Sequence, residues 1–409
     1  MYLRHLTLTS FRSYARLDLA LSSGLTVFWG DNGQGKSNLL EAVYLLATSR
    51  SFRTSAEREL VNWHADTDPV FARVAGEVVR HGAASRLEVI LAGAPGAETD
   101  TGAQTRAEAP AAGRAPVASI RRRVRINGHD RPLLELLGHL NAVLFSPEDV
   151  ELVAGPAEVR RRYLDITLCQ IDHRYLRDLR RYLRVLTQRN ALLKQSRERP
   201  VPPDQFEYWD EQLTSLGAEL MMTRLRAVAF LNERLVEVYP PLTRDSTQLK
   251  LLYRSTVPLD PDLTLTALTP DEAAGRAQRA FVEHLVSLRP RERQQGVTLA
   301  GIHRDDLAFH VEGVDLRMYG SRGQQRIAAL AMKLAETAFM ERTTGERPVL
   351  LLDDVMSELD PSRRRLLQGA IATHEQVLLS ATDLSFFERD FLEGASRFHV
   401  SRGEVFPDP

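Results

Sequence analysis

One octapeptide, Gly30-Asp31-Asn32-Gly33-Gln34-Gly35-Lys36-Ser37, constrains this chain more than any other feature. It fits the pattern G-x-x-x-x-G-K-[ST]. Before it runs Leu25-Thr26-Val27-Phe28-Trp29, whose short and mostly apolar character predicts a buried strand. After it, Leu39, Leu40, Val43, Leu46 and Ala47 recur on one face of a predicted helix. A glycine-rich turn in that setting lets backbone N–H groups converge on phosphate oxygens, and the helix N-terminus adds positive potential. Lys36 then reaches the β and γ phosphates as a catalytic cation, and the Ser37 hydroxyl ligates magnesium. A chance glycine-rich turn is the bland alternative, and the flanking strand and helix weigh against it. Lysine occurs only at Lys36, Lys194, Lys250 and Lys333, so its presence here is pointed. The expected ligands are ATP and Mg2+, with Gly30 to Asn38 as the cradle.

A second segment, Val349-Leu350-Leu351-Leu352-Asp353-Asp354, reads as a central parallel strand ending in two carboxylates. Such sheets bind ligands at the carboxyl ends of their strands. Asp353 is placed to complete the magnesium shell, and Asp354 to orient or deprotonate an attacking water. Alone, an apolar run with two acids is a common strand end; beside a P-loop it gains meaning. A third segment, Tyr319-Gly320-Ser321-Arg322-Gly323-Gln324-Gln325-Arg326, opens a helix carrying Ile327, Leu330, Ala331, Leu334 and Ala338. Ser321, Gly323 and Gln324 offer a hydroxyl, bare amides and a helix dipole to an anion. The same residues also read as a plain N-cap. If they bind phosphate, the P-loop already covers one side of it, so a two-fold dimer closing each signature on its partner's nucleotide is the economical geometry.

At 409 residues the chain has room for two or three domains. Alternating patterns predict strands over residues 3 to 29, 70 to 91 and 117 to 126, with Asn127-Gly128 as a turn. Residues 92 to 116, rich in Ala, Gly, Pro and Thr, read as a mobile hairpin tip or insertion. Ser146-Pro147-Glu148-Asp149 predicts a helix start. From about 155 to 290 the pattern is helical and arginine-rich. Leu176, Leu179, Leu183, Leu186, Asn190 and Leu193 form a coiled-coil-like seam. After Pro200 to Pro203, a second helix carries Trp209, Leu213, Leu216 and Leu220 and is expected to end at Tyr239-Pro240-Pro241. Thr269-Pro270-Asp271-Glu272 predicts a capping box, and strands return after 295. The expected division is 1–150, 151–294 as a short antiparallel helical arm, and 295–409.

Net charge is -1, which excludes a constitutive nucleic-acid coat and leaves only local basic patches. The single Cys169 excludes an internal disulfide and a Cys-rich zinc site. No apolar run approaches the roughly 20 residues that span a bilayer, and Met1-Tyr2-Leu3-Arg4-His5 lacks the core of a signal peptide. A cytoplasmic location with no membrane partner is expected.

In the order P-loop, signature, Walker B, the sequence resembles the ABC-type ATPases; Ser357-Glu358-Leu359-Asp360 matches their D-loop. The resemblance implies an α/β head, a mixed sheet carrying the P-loop, with 1–150 and 295–409 as its two parts and 151–294 as a helical lobe. Asp354 stands where most members have a catalytic glutamate and Thr382 where most have a switch histidine, which implies slow turnover. Within that superfamily the chain is similar to the RecF family of bacterial recombination mediators. The matching residues include Ser10-Phe11-Arg12-Ser13-Tyr14, Ser49-Arg50-Ser51-Phe52-Arg53, Phe145-Ser146-Pro147-Glu148-Asp149, Arg160-Arg161-Arg162-Tyr163-Leu164-Asp165 and His303-Arg304-Asp305-Asp306. Ile302 departs from the family's usual proline. The resemblance implies duplex or gapped DNA as ligand and an ATP-dependent homodimer. It also implies action with RecR and RecO, through which RecA is loaded on strands coated by single-strand-binding protein.

Arg121-Arg122-Arg123-Val124-Arg125, Arg160 to Arg162, Arg174, Arg177, Arg180, Arg181, Arg184, Arg50 and Arg53 are candidates for phosphate-backbone contact. Each could equally be solvated or paired with nearby acids. His303 reads as an interface residue or a buried structural histidine. Three other classes fit less well. A chromosome-organising rod needs a far longer arm, a transporter subunit needs a membrane partner, and a small-molecule kinase leaves the signature idle.

Overall fold

The computed structural model describes residues 1–62, 70–93, 120–199, 201–243, 245–260 and 268–408. The predicted insertion at 92–116 lies almost wholly outside them. The chain forms two compact units, residues 1–146 with 347–409, and residues 147–346. Residues 295–346, expected with the C-terminal part of the head, thus belong by contact to the helical unit.

The first unit opens with β1 (Tyr2–Phe11), β2 (Tyr14–Ala20) and β3 (Gly24–Trp29), then α1 (Lys36–Thr48). It continues with β4 (Phe71–Arg80), β5 (Ala83–Gly93), β6 (Ile120–Ile126), β7 (His129–Arg131), α2 (Leu133–Leu136) and β8 (Ala142–Phe145). One sheet is antiparallel, in the order β2-β1-β4-β5-β6-β7. Asn127 and Gly128 both take positive φ, 52° and 82°, as the tight β6–β7 hairpin requires.

The chain then builds the second unit. Where a helix was expected at Ser146-Pro147, a 3-10 turn over Pro147–Asp149 leads into α3 (Val150–Ala154) and α4 (Ala157–Ile171). Next come α5 (His173–Glu198), α6 (Pro203–Thr243), β9 (Leu249–Arg254), α7 (Pro270–Gln295), β10 (Asp306–Val311), β11 (Val314–Asp315), α8 (Leu316–Tyr319) and α9 (Arg322–Thr344). α5 and α6 make the predicted hairpin, and Thr269 completes its capping box with Glu272. Three details differ from expectation. α6 carries Pro240 and Pro241 within its last turn, and it packs on α7, α9 and β9 as well as α5, so it is a central element rather than a free arm. The buried face of α5 is Tyr175, Leu176, Asp178, Tyr182, Arg189 and Leu193, whereas Leu183 is 46% exposed. Buried polar pairing displaces the leucine seam: Arg189 binds Asp210 at 2.7 Å and Glu292 at 2.6 Å, and Tyr182 meets His303 Nδ1 at 2.8 Å.

The first unit closes with β12 (Val349–Asp353), α10 (Pro361–Ile371), β13 (Gln376–Ala381), α11 (Arg389–Leu392), β14 (Ser396–Ser401) and β15 (Glu404–Asp408). These complete a second sheet in the order β15-β14-β3-β13-β12-β8, parallel except for β15. Every residue of β12 and β13 is buried, as the apolar stretches Val349–Leu352 and Val377–Leu379 with strands on both sides should be. α1 packs on strands of both sheets, which explains why ten of its residues are buried instead of one stripe. Register pairs Asp353 with Ser380 and Ala381 with Trp29, so β12, β13 and β3 end together beside the glycine-rich turn.

Candidate functional site

β3 delivers Gly30 and α1 begins at Lys36, so the intervening loop spans the carboxyl edge of the parallel sheet. Gly30 and Gly35 have φ of 142° and 115°. A Cβ at Gly35 would stand 2.7 Å from Ser13 Oγ and 3.0 Å from Tyr14 OH, so only glycine fits there. Gly35 is also the N-cap of α1, without a side-chain cap and without acids in the first turn. A helix end of this kind leaves its first N–H groups able to donate to an anion. Asp31, Asn32 and Gly33 are exposed, and Asn38 donates to Ser13 Oγ at 2.9 Å.

Lys36 Nζ is buried and donates to Gly30 O at 2.6 Å and Asp31 O at 2.7 Å. Burial lowers its pKa, and Asp354, Asp353 and Asp31 oppose that by favouring the cation. Ser37 Oγ donates to Asp353 Oδ1 at 2.7 Å, and Ser380 Oγ donates to the same oxygen at 2.7 Å. A hydroxyl and a carboxylate in contact at the P-loop are hard oxygen donors of the kind that would hold Mg2+. Ser380 was not singled out by sequence reasoning; its register opposite Asp353 is the only signal that could have found it.

Asp354 sits in the left-handed region, φ 51°, at the start of a 3-10 turn. Its N–H donates to Ser380 Oγ at 3.0 Å, while Oδ1 is buried without a hydrogen-bond partner among the described residues. Burial pushes this carboxyl above the ordinary range, with Ser357 and Lys36 acting the other way. A buried acceptor with an open lone pair, its basicity raised, is what activating a water requires. The D-loop follows: Asp360 caps α10 through the N–H groups of Ser362 and Arg363. Thr382 comes directly after β13 and is partly buried.

In the second unit, Ser321 caps α9. Its Oγ accepts from Gln324 N at 3.2 Å, and its N–H donates to Gln324 Oε1 at 2.9 Å, a complete capping box. Ser321, Arg322, Gly323 and Gln324 are all exposed. Gly320 has no room for a side chain, since a Cβ would lie 2.5 Å from Leu316 O.

The arginine clusters divide. Arg160 is buried and bidentate to Asp306, at 2.7 and 3.0 Å, so the phosphate-contact expectation does not hold for it. Arg161 donates to Asp305 O. Arg122 pairs with Glu57, Arg125 with Asp130, and Arg174 and Arg177 with Asp178. Arg50, Arg121, Arg123, Arg180, Arg181 and Arg184 are exposed. His303 is structural, held by Tyr182 and Thr298 O, and burial lowers its pKa to about 4.

A P-loop and an aspartate-ended strand on one sheet edge, with a capped Ser-x-Gly-Gln helix in a helical unit, define an ABC-type ATPase head. The sequence model of the family described as RecF/RecN/SMC N terminal domain matches residues 2–396. The DNA replication and repair protein RecF of Chloroflexus aurantiacus is 43% identical, with 99% of this chain and 100% of that protein covered. RecF of Halalkalibacterium halodurans is 34% identical over 99% of each. A solved structure described as the recombination mediator protein RecF-ATP in the RecFOR pathway matches with a TM-score of 0.83 at 29% identity, covering 100% of this chain and 98% of that one. The chain belongs to the RecF family.

Proposed function

We propose that this chain is an ATP-gated DNA-binding mediator of recombinational repair, acting in the cytoplasm as a nucleotide-bridged homodimer. The observation that carries the reading is the convergence of Lys36, the Ser37 hydroxyl, Asp353 and the unpartnered Asp354 oxygen at one sheet edge. Backbone amides from Gly30 to Ser37 hold the phosphates of ATP, with Asp31, Asn32, Gln34 and Asn38 shaping the cradle. Ser37 and Asp353 would hold Mg2+, which when bound neutralises phosphate charge. Lys36 swings from its carbonyl acceptors to the phosphate oxygens, and Asp354 orients and deprotonates the attacking water. Its carboxylate is one methylene shorter than glutamate, and Thr382 supplies no imidazole, so hydrolysis is slow and serves as a release switch. Ser321, Gly323 and Gln324 of a second copy close on the γ-phosphate.

For DNA, the supporting surface is the outer face of the antiparallel sheet. Register aligns Arg16, Thr9, Arg73, Ile90 and Arg123 in one cross-strand row, a span of about 19 Å at the usual strand spacing. Arg16 and Arg123 in this row are exposed and suit phosphate-backbone contact without base readout, while Arg73 between them is paired with Glu88 at 2.8 Å. DNA stimulation of the ATPase, recognition of gaps, and loading of RecA through RecR and RecO in the presence of single-strand-binding protein belong to the same proposal. Mass in solution, measured with and without ATP and magnesium, tests its centre: the mass should double with ATP, and an unchanged monomer at saturating nucleotide refutes the dimer.

A further inference from the structure

The phosphate loop is gripped from outside by the C-terminal strand pair. β14 runs parallel to β3, the strand that delivers Gly30, pairing Phe398 with Phe28 and His399 with Trp29. At the base of the β14–β15 hairpin, Trp29 Nε1 donates to Asp408 Oδ2 at 3.0 Å, and the rings of Trp29 and His399 lie 4.6 Å apart. At its tip, Arg402 and Gly403 turn with positive φ, 50° and 75°. Arg402 N donates to Gln34 Oε1 at 2.7 Å, and Gly403 N donates to Gln34 O at 3.1 Å.

Space is equally committed. A Cβ on Gly30 would lie 2.5 Å from Val400 O, and one on Gly403 would collide with the carbonyl of Ser13. Ser13 in turn accepts from Asn38 and leaves Gly35 no room for a side chain. The hairpin tip thus meets Ser13 and the P-loop through backbone atoms, and Ser13 meets Gly35 through its hydroxyl. The peptide bond is planar and trans, so fixing the Gln34 carbonyl on Gly403 also fixes the direction of the Gly35 N–H. That amide is one of those a phosphate would meet.

We propose that the β14–β15 hairpin is a clamp that sets the phosphate loop in its anion-binding form, with Gln34 and Gly403 as positioning residues. The proposal rests on the nucleotide reading above. It assigns the Gln34 side chain to the hairpin rather than to the nucleotide, and it gives the last strand pair a part in binding.

The test is titration of the full chain with a fluorescent ADP analogue, together with ATPase kinetics. Gly403→Ala should raise Kd and KM about tenfold, the effect of misplacing one hydrogen bond, while kcat at saturating ATP stays near wild type. Gly394→Ala is the matched control, with φ of 77° but open space around it. It carries the same backbone strain and should leave affinity unchanged. If both variants weaken binding equally, or neither does, the clamp is wrong. Should Gly403→Ala not fold, Gln34→Leu decides: it should weaken binding severalfold, and wild-type affinity in it overturns the proposal. Wild-type binding that is lost in Lys36→Met checks the nucleotide reading separately in the same titration.

Discussion

Removing Arg12 should destabilise the first unit severely, and removing its partner as well should restore most of the loss. The Glu41 carboxylate lies on α1 with its side chain fully buried, and Arg12 is 11% exposed. The pair is bidentate, Arg12 Nε to Oε2 at 2.8 Å and Nη2 to Oε1 at 2.7 Å, while Arg12 Nη1 donates to Glu59 O at 2.8 Å. Ser51 Oγ also donates to Glu41. Arg12→Met would leave the carboxylate with that one hydroxyl and no counter-charge. Breaking one side of such a buried pair costs about 3–5 kcal/mol, and replacing both partners by apolar groups is often close to neutral. In a unit of this size the single variant should lose on the order of 10 °C in melting temperature. Arg12→Met with Glu41→Leu should recover most of it. Both proteins carry the same left-handed backbone at position 12, φ 51°, so that strain cancels in the comparison. Arg12→Lys keeps the charge but loses the planar fork, and should fall between wild type and Arg12→Met. Thermal and urea melts of the four proteins give the answer. A single variant losing less than about 1 kcal/mol, or a double variant as unstable as the single, would refute the idea that Glu41 depends on Arg12.

Lys36→Met should abolish nucleotide binding, read by titration with a fluorescent nucleotide, in a protein that still folds. Ser321→Arg should bind nucleotide like wild type but remain monomeric with ATP and magnesium, read by light scattering. Asp354→Asn should accumulate as a long-lived ATP dimer; dissociation as fast as wild type would give Asp354 another role. Stability should fall as pH drops from 6.5 toward 4, because unfolded chains protonate His303 there and the folded one, with His303 held at about 4, does not. The loss is roughly 3 kcal/mol at full development. Urea melts at pH 7 and 5 should show it, and His303→Gln should flatten that part of the profile.

The candidate site was legible where its chemistry would require a fixed local spacing. Gly35, Lys36 and Ser37 must be consecutive because a turn, a cation and a hydroxyl follow one another at a helix start, and Asp353 must end an apolar strand. Contacts between distant segments carry no such mark. Ser380 reaches Asp353 only because β13 lies beside β12 in one register. Gln34 looked like part of the cradle, and nothing near it in sequence marks Arg402 as its partner. In the helical unit, leucine periodicity correctly predicted the hairpin but not its buried face. Nothing local in the sequence marks Arg189 as fully buried between Asp210 and Glu292. Arg160 misled for the same reason.

The two halves of the proposed nucleotide site differ in how their polar groups are committed. Ser321 Oγ acts as acceptor in its capping box, so its own proton remains free to donate to an arriving oxygen without undoing the cap. Its amide is tied to Gln324, which holds the rotamer of both residues before any ligand is present. Little ordering is left for it to do on binding. The cradle is different. Lys36 is committed to two loop carbonyls and must exchange at least one of them for phosphate. Under the proposed function, the exchange at Lys36 would accompany nucleotide loading, and the capping box of Ser321 would need no rearrangement when two copies pair. Loading without pairing is then the state in which Ser321→Arg should be trapped if the dimer proposal holds, since pairing without loading would lack the phosphate that both halves need.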